Sequence, residues 1–170
     1  MKGKSAMLGG LGIVAALLGV YLLFRQVIAS SARNRQVIAY LNDPASFSHL
    51  EIKAHTRCQQ APFILPTDGM IGFLWDDSSR PGHHHQGIDI FGGKAAGITP
   101  VYAAYGGYLT RAPDWKASLI IRIPSDPLQA DRQIWTYYTH LADPDGNSLI
   151  VPSFPPGTEE QWVEAGALLG

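Results

Sequence analysis

Three consecutive histidines, His83 to His85, precede an aspartate in the stretch PGHHHQGIDIFGG, where Asp89 stands four positions after His85. Imidazole nitrogen and carboxylate oxygen both bind zinc, at about 2 Å from the ion. On a flat strand the Cα atoms of residues four apart are separated by about 13 Å, which is too far for one ion to bridge comfortably. These residue types therefore indicate a metal site only if the chain bends between His85 and Asp89.

Gly87 lies midway between the two candidate ligands. Glycine adopts backbone angles that other residues avoid, so we expect a loop carrying His85 to bend at Gly87 into a strand carrying Asp89. The isoleucines on either side of Asp89 would then point to the core. The alternative is a solvated histidine-rich loop without a metal, and His83 and His84 are interpreted as surface neighbours.

A second candidate is His140, which ends the stretch QIWTYYTHL. Side chains alternate across a strand, so this stretch predicts a strand with Thr136, Tyr138 and His140 on one face. A histidine at a strand end, just before the turn sequence DPDG, is placed to border a site. The alternative is a structural histidine that is hydrogen bonded within an aromatic cluster.

The elements that must position these residues are predicted to be strands. From residue 67 onward, short apolar runs such as GMIGFLW, SLIIRIP and IWTYYTHL alternate with glycine and proline, which is typical of strands and turns. We therefore predict an all-β domain over residues 67–170, with turns at residues 92–93, 106–107 and 143–147. One helical turn is expected within residues 158–166.

The N-terminus predicts a membrane anchor. Lys2 and Lys4 precede an apolar run over residues 6–24, which Arg25 closes. About 18 or more apolar residues suffice to span a bilayer, whereas the core of a signal peptide is usually shorter. We expect residues 1–25 to form a transmembrane helix and residues 26–66 a stalk or linker. A cleaved signal peptide is the alternative, and charges on both sides leave the orientation open.

Composition excludes some classes of protein. The formal net charge of −1 argues against a nucleic-acid partner, because such proteins carry a clear basic excess. Cys58 is the one cysteine in the sequence, which excludes a disulfide framework and a zinc site built on paired cysteines.

Four blocks in order, HQGIDI, GITPVYAAYGGYL, WTYYTHL and VEAGALLG, resemble the lysostaphin-type (LytM-like) zinc metallopeptidases over residues 67–170. The resemblance implies Zn²⁺ as cofactor, His85 and Asp89 as the first two zinc ligands, and His140 as a catalytic histidine that does not bind the metal. It implies a compact antiparallel β-sheet of the barrel-sandwich (duplicated hybrid motif-like) type. The implied reaction is hydrolysis of a peptide bond in bacterial cell-wall peptidoglycan, which places the catalytic domain outside the cytoplasm and the predicted helix in the cell membrane.

One family motif is missing from its expected place. His-x-His, which supplies the second catalytic histidine and the third zinc ligand, follows the fourth block in the family; here the pattern fits only the run His83 to His85, which already supplies the first ligand. The favoured interpretation is that the sequence is a fragment; the alternative is a domain that has lost its metal. Two other functions stay open: a non-catalytic LytM-like domain that binds or activates another wall hydrolase, and a barrel-sandwich binding or carrier module with surface histidines. The bond that is cut and the oligomeric state are not predicted.

Overall fold

The computed structural model describes residues 17–21, 32–77 and 82–170. The prediction of an all-β fold is confirmed, because two antiparallel sheets make up most of the regular structure. Of the predicted anchor, only residues 17–21, which are helical, lie within the described part. Among the described residues, no helix is both long enough and apolar enough to cross a membrane.

A three-stranded antiparallel sheet carries the stretch around Asp89. Its strands, in the order β1-β2-β3, are β1 (Glu51–Ile52), β2 (Gly69–Ile71) and β3 (Ile90–Phe91). Met70 pairs with Phe91 and Ile71 with Ile90, so β3 is fixed in register against the middle strand. Asp89 therefore lies directly before a paired strand.

One helix and a short 3₁₀-helix pack against this sheet; they are α1 (Ala32–Asn42) and Ala45–Leu50. Val37 and Tyr40, three apart and so on one face of α1, are buried in a cluster with Met70 and Phe73. The Tyr40 hydroxyl donates to Glu51 Oε1 at 3.1 Å. Burial, followed by this acidic neighbour, raises the pKa of Tyr40 to about 12.

The larger sheet has four antiparallel strands in the order β6-β5-β4-β7. They are β4 (Gly107–Arg111), β5 (Leu119–Ile123), β6 (Ile134–Tyr138) and β7 (Thr158–Val163). Alternate residues of β4 and β5 are buried, as expected for strands with one face on a core. The main core contains Ala103, Leu109, Leu119, Ile121, Tyr138, Leu141, Ile150, Phe154, Val163 and Leu169.

The helical turn expected within residues 158–166 is wrong, because this stretch forms β7. Its residues pair with β4, with Gly107 opposite Val163 and Leu109 opposite Gln161. Pairing along a whole strand and burial of Val163 outweigh the weak local preference of the sequence for a helical turn.

The predicted turns differ in outcome. The turn at residues 143–147 is confirmed: the Asp143 carboxylate accepts hydrogen bonds from the N–H groups of Asp145 at 3.0 Å and Asn147 at 2.8 Å. The turn at residues 106–107 is wrong in part, because Gly107 is the first residue of β4. A Cβ on Gly107 would lie 2.4 Å from the Arg122 carbonyl oxygen, so a glycine is required where β4 and β5 approach closely.

The outer face of the four-stranded sheet is rich in aromatic side chains. Trp135, Tyr137 and Trp162 are all exposed there. The Arg122 guanidinium lies 4.7 Å from the centre of the Tyr108 ring, within the range of a cation–π contact. The aromatic residues that alternate with the core residues therefore cover this face rather than fill the interior.

Candidate metal site

The chain bends at Gly87, and this bend brings the two candidate ligands together. His85 Nε2 lies 3.2 Å from Asp89 Oδ1, and both side chains are partly buried. Because zinc binds each type of atom at about 2 Å, one ion can contact both. Ile88 does not point to the core as expected; it is 62% exposed, because β3 begins only at Ile90 and the alternation of a strand does not reach residue 88.

A backbone carbonyl fixes the orientation of the His85 ring. His85 Nδ1 lies 3.0 Å from the Leu74 carbonyl oxygen. A carbonyl only accepts hydrogen bonds, so Nδ1 carries a proton. In the neutral ring, Nε2 then presents its lone pair towards the Asp89 carboxylate. A lone pair and a carboxylate that face each other at this distance attract a proton or a cation between them. Metal-binding histidines are held in this way by a second hydrogen bond, so the arrangement fits zinc.

Residues 72–77, which we term the bracing segment, hold both candidate ligands by backbone hydrogen bonds. The His85 N–H donates to the Asp77 carbonyl at 2.9 Å, and the His85 carbonyl accepts from the Asp76 N–H at 2.8 Å. The Asp89 N–H donates to the Phe73 carbonyl at 2.8 Å. The two ligand-bearing residues are therefore fixed against one continuous piece of chain.

The two histidines before His85 have different surroundings. His84 is exposed, as expected, and its Nδ1 lies 2.7 Å from Asp76 Oδ1. His83 is only partly exposed, and its buried Nδ1 has no hydrogen-bond partner within the described part of the chain. Asp76 adopts a left-handed backbone conformation, with φ of 66°, so the turn that ends the bracing segment is tightly specified.

His140 lies outside its predicted strand. Strand β6 ends at Tyr138, and His140 is exposed with φ of 65°, so the alternation of strand faces does not extend to it. Tyr138 is buried, and its hydroxyl accepts a hydrogen bond from the Ala104 N–H at 2.7 Å. Burial raises the pKa of Tyr138. These contacts give Tyr138 a packing role.

The His140 side chain borders a cleft of about 220 Å³, together with Thr99, Val101, Leu141 and Leu149. A neighbouring cleft of about 190 Å³ shares Thr99 and Val101 and extends to Ile90 and Gly92 in and after β3. The two clefts lie next to each other along Thr99 and Val101, and neither is lined by His85 or Asp89. Gly92 lines the second of these clefts.

The described residues supply two candidate ligands. Within residues 17–21, 32–77 and 82–170, no group of three or more His, Cys, Asp or Glu side chains is close enough to hold a metal together. His140 therefore does not join His85 and Asp89 as a ligand. A catalytic zinc site normally has three protein ligands and a water.

Sequence reasoning missed the residues that support the site. The Leu74 carbonyl and the bracing segment were not identified, because every residue has a backbone carbonyl and the sequence does not show which one accepts a hydrogen bond. The sequence WDD at residues 75–77 is a signal, since two aspartates after an aromatic residue are typical of a turn.

Comparison with protein-family models, with curated proteins and with solved structures finds no match to this chain.

Proposed function

We propose that residues 67–170 belong to a zinc-dependent metalloendopeptidase domain of the lysostaphin type, which hydrolyses peptide bonds of bacterial cell-wall peptidoglycan. The proposal includes the barrel-sandwich fold and an N-terminal anchor that holds the domain outside the cytoplasm. The observation that carries it is the pair of His85 and Asp89, 3.2 Å apart, with His85 Nδ1 bound to the Leu74 carbonyl. In a solvated histidine loop we would expect a mobile imidazole ring. Here one ring nitrogen contacts a backbone carbonyl and the other faces a carboxylate.

Each residue of the proposed site has a definite task. Zinc, when bound, would supply a Lewis acid and an activated water. His85 and Asp89 would hold the ion, and the negative charge of Asp89 would offset part of its charge. His140, exposed at the cleft, would accept a proton from the attacking water as a general base and deliver it to the nitrogen of the leaving amine as a general acid. The two neighbouring clefts, one lined by Ile90 and the other by His140, would receive an extended peptide with small side chains.

Zinc binding is the first test of this proposal. We expect the wild-type chain to bind zinc, and His85→Ala and Asp89→Ala each to lower the affinity at least about tenfold, because each removes a ligand. Competition with a chromophoric chelator measures the affinity. His140→Ala is the control and should bind zinc like the wild type. Zinc bound with unchanged affinity and stoichiometry by His85→Ala would overturn the assignment of ligands.

Hydrolysis is tested separately, with purified peptidoglycan and a measurement of released amino groups. We expect His140→Ala to lose hydrolysis while it keeps zinc.

Because the described residues supply two ligands rather than three, one alternative function has specific support: a non-catalytic LytM-like domain that binds or activates another wall hydrolase. Wild-type protein that hydrolyses nothing but raises the activity of a wall hydrolase would favour that alternative.

A further inference from the structure

Asp77 holds both peptide groups of Leu74, one of which carries the carbonyl that orients His85. Its carboxylate oxygen Oδ2 accepts a hydrogen bond from the Leu74 N–H at 2.7 Å. Its own N–H donates to the Leu74 carbonyl at 3.1 Å, the same oxygen that accepts from His85 Nδ1. Asp77 therefore holds Leu74 from both sides of that residue and leaves the carbonyl aimed at the imidazole.

Helix α1 reaches the same carboxylate. Arg33 Nε lies 3.7 Å from Asp77 Oδ2, and the two side chains are 36% and 34% exposed. An ion pair that is partly shielded from water is screened less than one on the open surface. Arg33 is in the first turn of α1, so the charge of Asp77 is held by a residue far away in the sequence.

Packing provides a second link between helix α1 and the bracing segment. Val37 is buried in the same cluster as Phe73. A Cβ on Gly72 would lie 2.9 Å from Val37 Cγ2, so the helix sits directly on the backbone of the segment. The Phe73 ring in turn meets the His85 ring edge-on, with centroids 6.3 Å apart. Helix α1 and the His85 ring therefore both contact residues 72–77.

We infer that Asp77 is a positioning residue for His85, and that Arg33 couples helix α1 to the metal site through Asp77. The inference rests on the proposed function, because it assigns these residues a role towards the zinc ligand. Without the Asp77 carboxylate, the Leu74 N–H loses its acceptor, and the turn that aims the Leu74 carbonyl at His85 Nδ1 is held by the Asp77 N–H alone. Replacing residues that orient a metal ligand typically lowers metal affinity 10- to 100-fold.

The matched control is the neighbouring aspartate. The Asp76 side chain contacts His84, whereas the Asp77 side chain contacts Leu74 and Arg33. Asparagine tolerates the left-handed conformation of residue 76, so Asp76→Asn removes a carboxylate from the same turn without disturbing the backbone. It should leave the His85 tautomer and the zinc affinity unchanged.

The direct test compares Asp77→Ala with Asp76→Asn in the full chain. In metal-free protein, ¹⁵N NMR of the imidazole should show a proton on Nδ1 of His85 in the wild type and in Asp76→Asn, and a mixture of Nδ1–H and Nε2–H forms in Asp77→Ala. Zinc affinity, from chelator competition, should fall roughly 10-fold or more in Asp77→Ala alone. A folded Asp77→Ala protein with the Nδ1–H tautomer and wild-type affinity would overturn the inference.

The coupling to α1 is tested by a double-mutant cycle with Arg33→Gln and Asp77→Asn, two mild changes that also serve if Asp77→Ala does not fold. Each single change should weaken zinc binding several-fold, less so at high salt, and the double variant should be no worse than either. Fully additive effects would overturn the coupling. If the wild type binds no zinc but Asp77→Ala still alters the tautomer, the proposed function fails and the positioning role stands.

Discussion

The candidate ligands illustrate what residue types alone predict. The types and spacing of His85 and Asp89 indicated a metal pair, and the need for a bend at Gly87 followed from strand geometry. The structure does bring the two side chains within 3.2 Å. The acceptor for His85 Nδ1 was beyond prediction, because it is a backbone oxygen on Leu74 in a different loop, and only the folded chain puts it there.

Asp126 provides a prediction for acid stability. Its side chain is 1% exposed, and its carboxylate accepts from the Leu128 N–H at 2.9 Å and from the Arg132 guanidinium, with Arg132 Nε at 2.9 Å. The backbone hydrogen bond from Leu128, followed by Arg132, lowers the pKa of Asp126. A lowered pKa means that the charged carboxylate stabilises the fold above the ordinary aspartate pKa of about 4, and that this stabilisation is lost as the pH falls through the folded-state pKa.

We therefore expect Asp126→Asn to lower the midpoint of thermal unfolding by several degrees at neutral pH and by less at pH 3, because part of the stabilisation is lost below the ordinary aspartate pKa. Circular dichroism at both pH values measures the difference. Asp131→Asn, which changes an exposed aspartate of the same loop, is the control and should follow the wild type throughout. An equal loss of stability for Asp126→Asn at both pH values would show that its charge contributes nothing.

At the level of elements, the sequence predicted strands well and their ends poorly. The runs that became β4, β5 and β6 stood out because apolar residues are bounded by turn formers. Residues 158–163 did not stand out as a strand, because Glu159, Glu160 and Gln161 are consecutive polar residues with no apolar alternation. They form a strand because they pair with β4. The site was affected by the same limit, since His140 lies two residues past the end of β6.

Close approach of β4 and β5 yields a prediction at this level. Gly107→Ala would place a Cβ 2.4 Å from the Arg122 carbonyl oxygen and 2.7 Å from Ile121 Cγ2. The strands must separate to admit it, so we expect a loss of about 1–3 kcal/mol in the free energy of unfolding. Urea denaturation measures this loss.

Gly106→Ala is the matched control for that experiment. A Cβ on Gly106 meets its nearest atom, the Val163 carbonyl oxygen, at 3.4 Å, which is an ordinary contact. We expect its stability to lie within about 0.5 kcal/mol of the wild type. Equal losses for both variants would mean that the approach of the strands does not set the requirement for glycine.

In the whole molecule, a buried arginine ties the loops around the large sheet together. The Arg111 guanidinium donates to the carbonyl oxygens of Phe154 at 2.8 Å and Trp115 at 3.0 Å, and to Ser148 Oγ at 3.0 Å. Desolvation lowers the pKa of Arg111. The sequence does not predict this role, because arginine side chains are usually exposed to water.

The placement of the tryptophans has an optical consequence. Trp75, Trp135 and Trp162 are exposed, and Trp115 is only partly buried, against the Tyr137 ring. Indole emission shifts to longer wavelength in water, and water already reaches all four rings in the folded protein. We expect urea to unfold the chain, as far-ultraviolet circular dichroism would show, with little change in the wavelength of maximum emission. A large red shift on unfolding would mean that these rings are covered in solution.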